Sequence, residues 1–266
     1  MGKVIVVKVG GSVLENLDPG FFAGCARMQK TEGLSLVIVH GGGPFISRWM
    51  ERIGKKPAFV DGRRVTDGET LNIAEMALAG QVNKELVSRF AREGVAVLGL
   101  SGVDLNLLQL EPEDPKLGYV GKVTAVHAER LQTILQQGWL PVIASLGIDG
   151  QGKVLNVNAD EAAGAIARAL GAEQLVMVSD VDGVYIEDTL LSHMNPAMIE
   201  TYIAQGAITG GMIPKVRSAV RSLEGSVREV RIVSGKKAGI FDPVSGTRIL
   251  KEGVDEHVAL SHIRTP

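Results

Sequence analysis

Short, nearly unbroken runs of β-branched residues alternate along this chain with stretches of helical spacing. Residues 3–9, 36–39, 95–100, 140–144, 173–178 and 230–233 read as strands buried on both faces, as in a parallel sheet. Residues 118–126 alternate apolar and polar positions like a half-exposed strand, and 246–250 reads as an edge strand. Helical periodicity covers 21–32, 45–53, 67–79, 82–92, 128–137, 195–205 and a segment from Pro214 to Leu223. Gly80 marks a break between two of these helices, and Thr66 is the expected N-cap of the first. Residues 59–65 read as a hairpin turning at Asp61-Gly62, and 111–117 as an acidic, proline-containing loop. An alanine-rich helix follows Asn158, the expected N-cap, with Glu161 completing a capping-box pair.

This order predicts an α/β fold, a three-layer αβα sandwich with a mainly parallel open sheet of about eight strands. It forms a single domain over 1–250, with an N-terminal lobe over about 1–155 and a C-terminal lobe over about 156–250. Residues 251–266 read as a polar, loosely held tail.

With 266 residues, 45% of them apolar, the chain can bury a sizeable core, and a net charge of −2 argues against binding nucleic acid. Cys25 is alone, so no disulfide forms within the chain, and its apolar surroundings place it in a core helix. None of His40, His127, His193, His257 and His262 stands at metal-ligand spacing. The chain passes from Met-Gly-Lys straight into a strand, without a signal peptide or an apolar run of membrane-spanning length. A soluble cytoplasmic protein with no membrane partner is expected.

The candidate chemistry gathers where strands end. Lys8 interrupts the first strand, and burying its charge is costly unless an anion meets it. Gly10-Gly11 follows, and the second strand ends in His40-Gly41-Gly42-Gly43-Pro44. Glycines there let backbone N–H groups approach phosphate oxygens, although neither a Walker loop nor a dinucleotide fingerprint is present. His40 reads as a residue that hydrogen-bonds its loop rather than as a catalyst. Of Arg63 and Arg64, one reads as a solvated charge and the other as a clamp for a carboxylate. Lys215 stands near the positive end of its own helix, a poor place for a cation without an anionic partner. Asn156-Val-Asn-Ala-Asp160 adds two amides and an acid before a helix. Together these suit phosphoryl transfer between anions, which needs positioning and charge neutralisation. A carboxylate acceptor, with a pKa of about 4.3, is already ionised at neutral pH and needs no general base.

The chain resembles the amino acid kinase family, and within it the acetylglutamate kinases. The resemblance rests on Lys8-Val-Gly-Gly11, His40-Gly-Gly-Gly43, Gly62-Arg-Arg-Val-Thr66, the 78–84 segment, Asn156-Val-Asn-Ala-Asp160, Ser179-Asp-Val-Asp-Gly183 and Ile208-Thr-Gly-Gly-Met-Ile-Pro-Lys215, in order. It implies phosphorylation of the side-chain carboxylate of N-acetyl-L-glutamate by ATP, with Mg2+ carried by the nucleotide and no protein metal site. By the same resemblance Lys8 and Lys215 stabilise the transferring phosphoryl group and Asp160 orients both lysines. Gly10, Gly11 and Gly43 donate N–H groups to phosphates, while Gly42 lines the acyl amino acid. Arg64 binds the α-carboxylate, and Asn156 and Asn158 bind other polar groups of the acceptor. Ser179, Asp180, Val181, Asp182, Gly183 and Val184, with Ala207, Ile208 and Thr209, bind nucleotide.

The chain departs from the family's usual pattern at 101–106, and the 185–194 segment is short. The chain begins at its first strand, and 241–250 differs from the effector region of arginine-inhibited members, so a homodimer insensitive to arginine is expected. No feature points to a PII-type regulator. The alternative reading is the carrier-linked aminoadipate kinase, which shares the fold and both lysines. The intact Asn-Val-Asn-Ala-Asp stretch weighs against it.

Overall fold

The computed structural model describes residues 2–251 except Glu32, Ala238 and Pro243. The tail expected over 251–266 therefore lies, beyond Lys251, outside the described residues. The main sheet has eight strands: β1 (Lys3–Val9), β2 (Leu34–His40), β3 (Val97–Ser101), β4 (Leu140–Ala144), β5 (Gln174–Ser179), β6 (His193–Met194), β7 (Glu229–Ser234) and β8 (Thr247–Leu250). Their order is β6-β8-β7-β5-β1-β2-β4-β3. Every neighbouring pair is parallel except β7 with β8. β8 is not the edge strand the sequence suggests, because the two-residue β6 pairs beyond it and covers its free side. β1 lies at the centre, with β2 on one side and β5 on the other. The loops leaving the carboxyl ends of these three strands surround one crevice, where open α/β sheets take ligands.

Helices cover both faces: α1 (Pro19–Gln29), α2 (Gly43–Arg52), α3 (Gly68–Glu75), α4 (Asn83–Arg92), α5 (Ala128–Gln136), α6 (Ala159–Leu170), α7 (Pro196–Ala204) and α8 (Met212–Ser222). The period-two geometry of β1 divides the core between these layers. Val4 and Val6 pack with Ala163, Ile166 and Val216 from α6 and α8, whereas Ile5, Val7 and Val9 pack with Phe21, Phe45 and Phe90 from α1, α2 and α4. Each such buried aliphatic or aromatic side chain contributes roughly 1.5–3 kcal/mol relative to exposure. Lys8 has the parity of Val4 and Val6, so β1 aims it at α6. Alanines 162, 163 and 167 keep the α6 face thin where it meets the sheet.

A second sheet of four strands, Val154–Asn156, Leu146–Ile148, Leu108–Pro112 and Gly121–Val126, carries Asn156 toward the crevice. Its Leu108–Pro112 strand covers the start of the acidic segment read as a loop, because Leu108 and Leu110 turn inward and pair the backbone with Gly121–Val126. The Phe59–Val60 and Arg63–Arg64 strands form the expected hairpin.

Local signals differ from expectation at three places. Asp67, not Thr66, caps α3 by accepting from the Thr70 N–H at 2.8 Å, and Thr66 instead donates to the Arg64 carbonyl. Gly80 does not break the helix, because a π-helical segment, Met76–Val82, joins α3 to α4 without interruption. Asn158 caps α6 as expected, accepting from Asp160 N at 2.8 Å, but Glu161 forms no capping box. Its carboxylate accepts from the Val123 N–H at 3.0 Å and ties α6 to the second sheet.

Candidate active site

Three strand ends and one helix start supply the site. At the end of β1, Lys8 is 8% exposed and its ammonium lies 2.7 Å from a carboxylate oxygen of Asp160, in the first turn of α6. The Gly10 N–H is bonded to the Val178 carbonyl of β5 and so, contrary to expectation, is not free for phosphate, while the Gly41 N–H bonds the Val9 carbonyl of β1 and holds the second glycine loop against the first. The fit is close: a Cβ on Gly11 would stand 2.8 Å from Gly43 N and 2.9 Å from Pro44 Cδ, and one on Gly42 would stand 2.5 Å from Leu78 Cδ2. Among the described residues, the N–H groups of Gly11, Gly42 and Gly43 have no protein acceptor. Gly43 opens α2, whose N-terminus adds its own positive end to the same place.

A cavity of about 230 Å3 opens on this junction. Lys8, Asp160, Gly42 and Gly43 lie in its wall, together with Arg63, Arg64, Asn156 and Asn158. Its volume is below the range usual for drug-sized ligands and suits a small molecule. The two arginines have opposite surroundings. Arg63 is ion-paired with Glu113. Arg64 is 8% exposed, donates to the Gly43 carbonyl at 2.8 Å and to Ser47 Oγ at 2.7 Å, and lies 4.8 Å from the Phe59 ring centre. Among the described residues no carboxylate pairs with it. Burial pushes its pKa below the ordinary arginine value. A partly buried guanidinium held only by neutral groups favours an anionic ligand.

Asn156 lies in the cavity wall, and its Nδ2 stands 3.4 Å from Thr66 Oγ1. The Asn158 side chain is committed to capping α6, so its carbonyl oxygen is already occupied. Ser145, 3% exposed, also lines the cavity, although nothing in the sequence singles it out.

On the other side of β1, Lys215 in the first turn of α8 donates to Ser179 Oγ at 2.5 Å, and Ser179 donates to Asp180 Oδ1 at 3.0 Å. Burial, and then the nearby Lys8 charge, lower the Lys215 pKa, while Asp180 and Asp160 oppose that shift. Asp160 therefore meets Lys8 directly and reaches Lys215 only through its field; the group in contact with Lys215 is Ser179. Asp180 is exposed at the end of β5, and Asp182 is salt-bridged to Lys237 at 2.6 Å. The Val184 N–H is bonded to Thr247 Oγ1, and the side chains of Val184 and Ile208 lie in the core. Ala207 and Thr209 are exposed. Sequence reading does not single out Glu113 or Ser47, whose relation to the arginines depends on tertiary structure.

The model of the Amino acid kinase family matches residues 3–234. An acetylglutamate kinase of Geobacillus kaustophilus is 47% identical over 95% of this chain and 98% of its own length. One of Geobacillus stearothermophilus is 48% identical over the same shares. Among solved structures, smu.665 from Streptococcus mutans UA159 superposes with a TM-score of 0.84 at 30% identity, covering 94% of this chain and 99% of that one.

Proposed function

Because the chain belongs to the amino acid kinase family, we propose that it transfers the terminal phosphoryl group of ATP to the side-chain carboxylate of N-acetyl-L-glutamate, giving N-acetyl-L-glutamyl 5-phosphate in arginine biosynthesis. The observation that carries this reading is the placement of two unlike cations in one small cavity. Arg64, without a carboxylate partner among the described residues, can take the α-carboxylate of the acceptor, while Lys8 stands at the glycine junction where phosphate would arrive. The acceptor carboxylate is ionised at neutral pH, so the chemical obstacle is repulsion between two anions.

Lys8 and Lys215 approach that point from the α6 and α8 sides and offset the charge. Asp160 holds Lys8, and Ser179 holds Lys215. The free N–H groups of Gly11, Gly42 and Gly43 would meet phosphoryl oxygens without reorganising. Asn156 would bind the acyl amide end. In this reading residues before about 155 hold the acceptor and those after about 156, from Ser179 to Val184 and from Ala207 to Thr209, hold the nucleotide. Mg2+ would arrive on the ATP phosphates, since this ion keeps much of its water and needs few protein carboxylates. Asp180, exposed at the end of β5, is a carboxylate of the kind it takes. A cytoplasmic homodimer insensitive to arginine completes the reading. Trp49, Ile53 and Met76, exposed on α2 and beside it, offer apolar surface to a second copy.

The test is ATP consumption with N-acetyl-L-glutamate, N-acetyl-L-aspartate, free glutamate and carrier-linked aminoadipate, side by side. Preference for the first is expected. Turnover of the carrier-linked acid alone would overturn the acceptor assignment and leave the lysine chemistry standing.

A further inference from the structure

His40 ends β2, is wholly buried, and touches none of the groups assigned above to substrate. Its Nδ1 lies 3.0 Å from the Gly41 carbonyl oxygen and its Nε2 3.2 Å from Asn83 Nδ2, the first residue of α4. The orientation of the Asn83 amide is fixed by other partners. Nδ2 also donates to the carbonyls of Val142 at 2.8 Å and Leu100 at 3.0 Å, and Oδ1 accepts from Lys84 Nζ at 3.1 Å. The Asn83 amide nitrogen carries two protons, here facing two carbonyls, and has no lone pair to accept an Nε2–H, while Nδ1 faces a carbonyl that can only accept, so the ring proton sits on Nδ1. Nδ1–H then donates to the Gly41 carbonyl. No peptide bond here is cis. In a trans peptide the carbonyl of Gly41 and the N–H of Gly42 point in opposite directions. Turning that carbonyl toward the imidazole therefore turns the Gly42 N–H away from it. That N–H is buried, lies in the cavity wall and has no protein acceptor among the described residues. An orphaned buried donor is costly unless a ligand meets it.

We infer that His40 is a positioning residue for the phosphoryl transfer: Asn83 sets its tautomer, and its Nδ1–H locks the Gly41–Gly42 peptide with the Gly42 N–H aimed at the transferring group. This inference rests on the kinase reading proposed above. It goes beyond that reading in making α4, a helix outside the cavity, responsible for the direction of a donor inside it.

Two polar substitutions separate the roles. His40→Asn keeps a donor near the Nδ1 position and removes the ring nitrogen that lies against Asn83. His40→Gln keeps a polar group near the Nε2 position and loses the donor to Gly41. With ATP and N-acetyl-L-glutamate, His40→Asn should keep kcat within about threefold, whereas His40→Gln should lose roughly tenfold or more in kcat with little change in acceptor KM. Melting temperatures of both variants show how much protein is folded. Nitrogen NMR of the wild-type imidazole, which needs neither activity nor a variant, should show Nδ1 protonated and Nε2 bare. An Nε2–H tautomer would overturn the inference, as would equal kcat in the two folded variants. An inactive wild type with the expected imidazole spectrum would instead count against the acceptor assignment alone.

Discussion

Lys8 and Asp160 meet at 2.7 Å although one lies near the end of the first strand and the other in the first turn of the sixth helix. The contact follows from two periodicities. The alternation of β1 sends Lys8 to the α6 face, and the cap at Asn158 begins α6 so that Asp160 sits in its first turn. Asp160→Asn should leave Lys8 without a counter-charge at the point of transfer. A fall of about a hundredfold in kcat is expected, with the fold retained at a loss of roughly 1–3 kcal/mol. Steady-state kinetics beside urea unfolding would check it; a variant with wild-type kcat would remove Asp160 from the mechanism.

Arg64 and Arg63 are neighbours in sequence with different partners, and their alanine variants should differ in kind. Arg64→Ala removes the cation that no carboxylate neutralises among the described residues, and the acceptor KM should rise roughly ten- to a hundredfold. Arg63→Ala, which only frees Glu113, should change the same KM by less than about threefold. The reverse order would mean that the ion pair opens when substrate binds and that Arg63 is the clamp.

Gly11→Ala should abolish activity without unfolding the chain. The added methyl would stand 2.8 Å from backbone N of Gly43 and 2.9 Å from the Pro44 ring, so the two glycine loops would have to separate. Such overpacking costs typically 1–3 kcal/mol, which a domain of this size tolerates, whereas the donor geometry does not. A circular dichroism melt close to wild type with turnover below detection is the expected pair of results.

The pH dependence of stability should carry a mark from His40. Burial lowers its pKa to about 4 in the folded state from 6.5. Between those values the unfolded chain binds the proton and the folded chain does not, so stability is full above about pH 6.5 and falls as pH drops toward 4. The contribution at stake is roughly 3 kcal/mol. Urea titrations at several pH values should show this loss in the wild type and a flatter profile in His40→Asn. Parallel profiles would show that His40 is not the group responsible.

Much of the architecture is legible in the sequence because the relevant signals are local. Nearly continuous β-branched runs mark strands buried on both faces, and glycine loops at their ends mark the crevice. The parity of Lys8 with Val4 and Val6 was available from the sequence alone. Signals that depend on neighbours distant in the chain were not. Glu161 looks like half of a capping box until Val123 presents a free N–H to it. Thr66 looks like a cap until Leu117 and Tyr119 hold its backbone, and the cap then falls to Asp67, which accepts from Thr70 N. The Leu108–Pro112 strand hides behind its acids and prolines because its partners, not its composition, make it a strand. Arg63 and Arg64 cannot be told apart until Glu113 and Ser47 are in place.

The π-helical segment between α3 and α4 sets the phase of everything after it. Seven residues, Met76–Val82, wind more widely than an α-helix, and the wider winding acts as about one extra residue. One residue of α-helix is a turn of about 100°. Asn83 faces His40, and Leu86 and Phe90 face the core, only with that offset included. Tightening these seven residues into an ordinary α-helix, with none removed, would let the helix run on without the wide turn and look like an improvement. It would also rotate α4 about its own axis, taking Asn83 off the imidazole and carrying Leu86 and Phe90 out of the core. The irregular turn thus works as a spacer in angle rather than in length, linking the packing of the outer helix layer to the direction of a single N–H in the cavity.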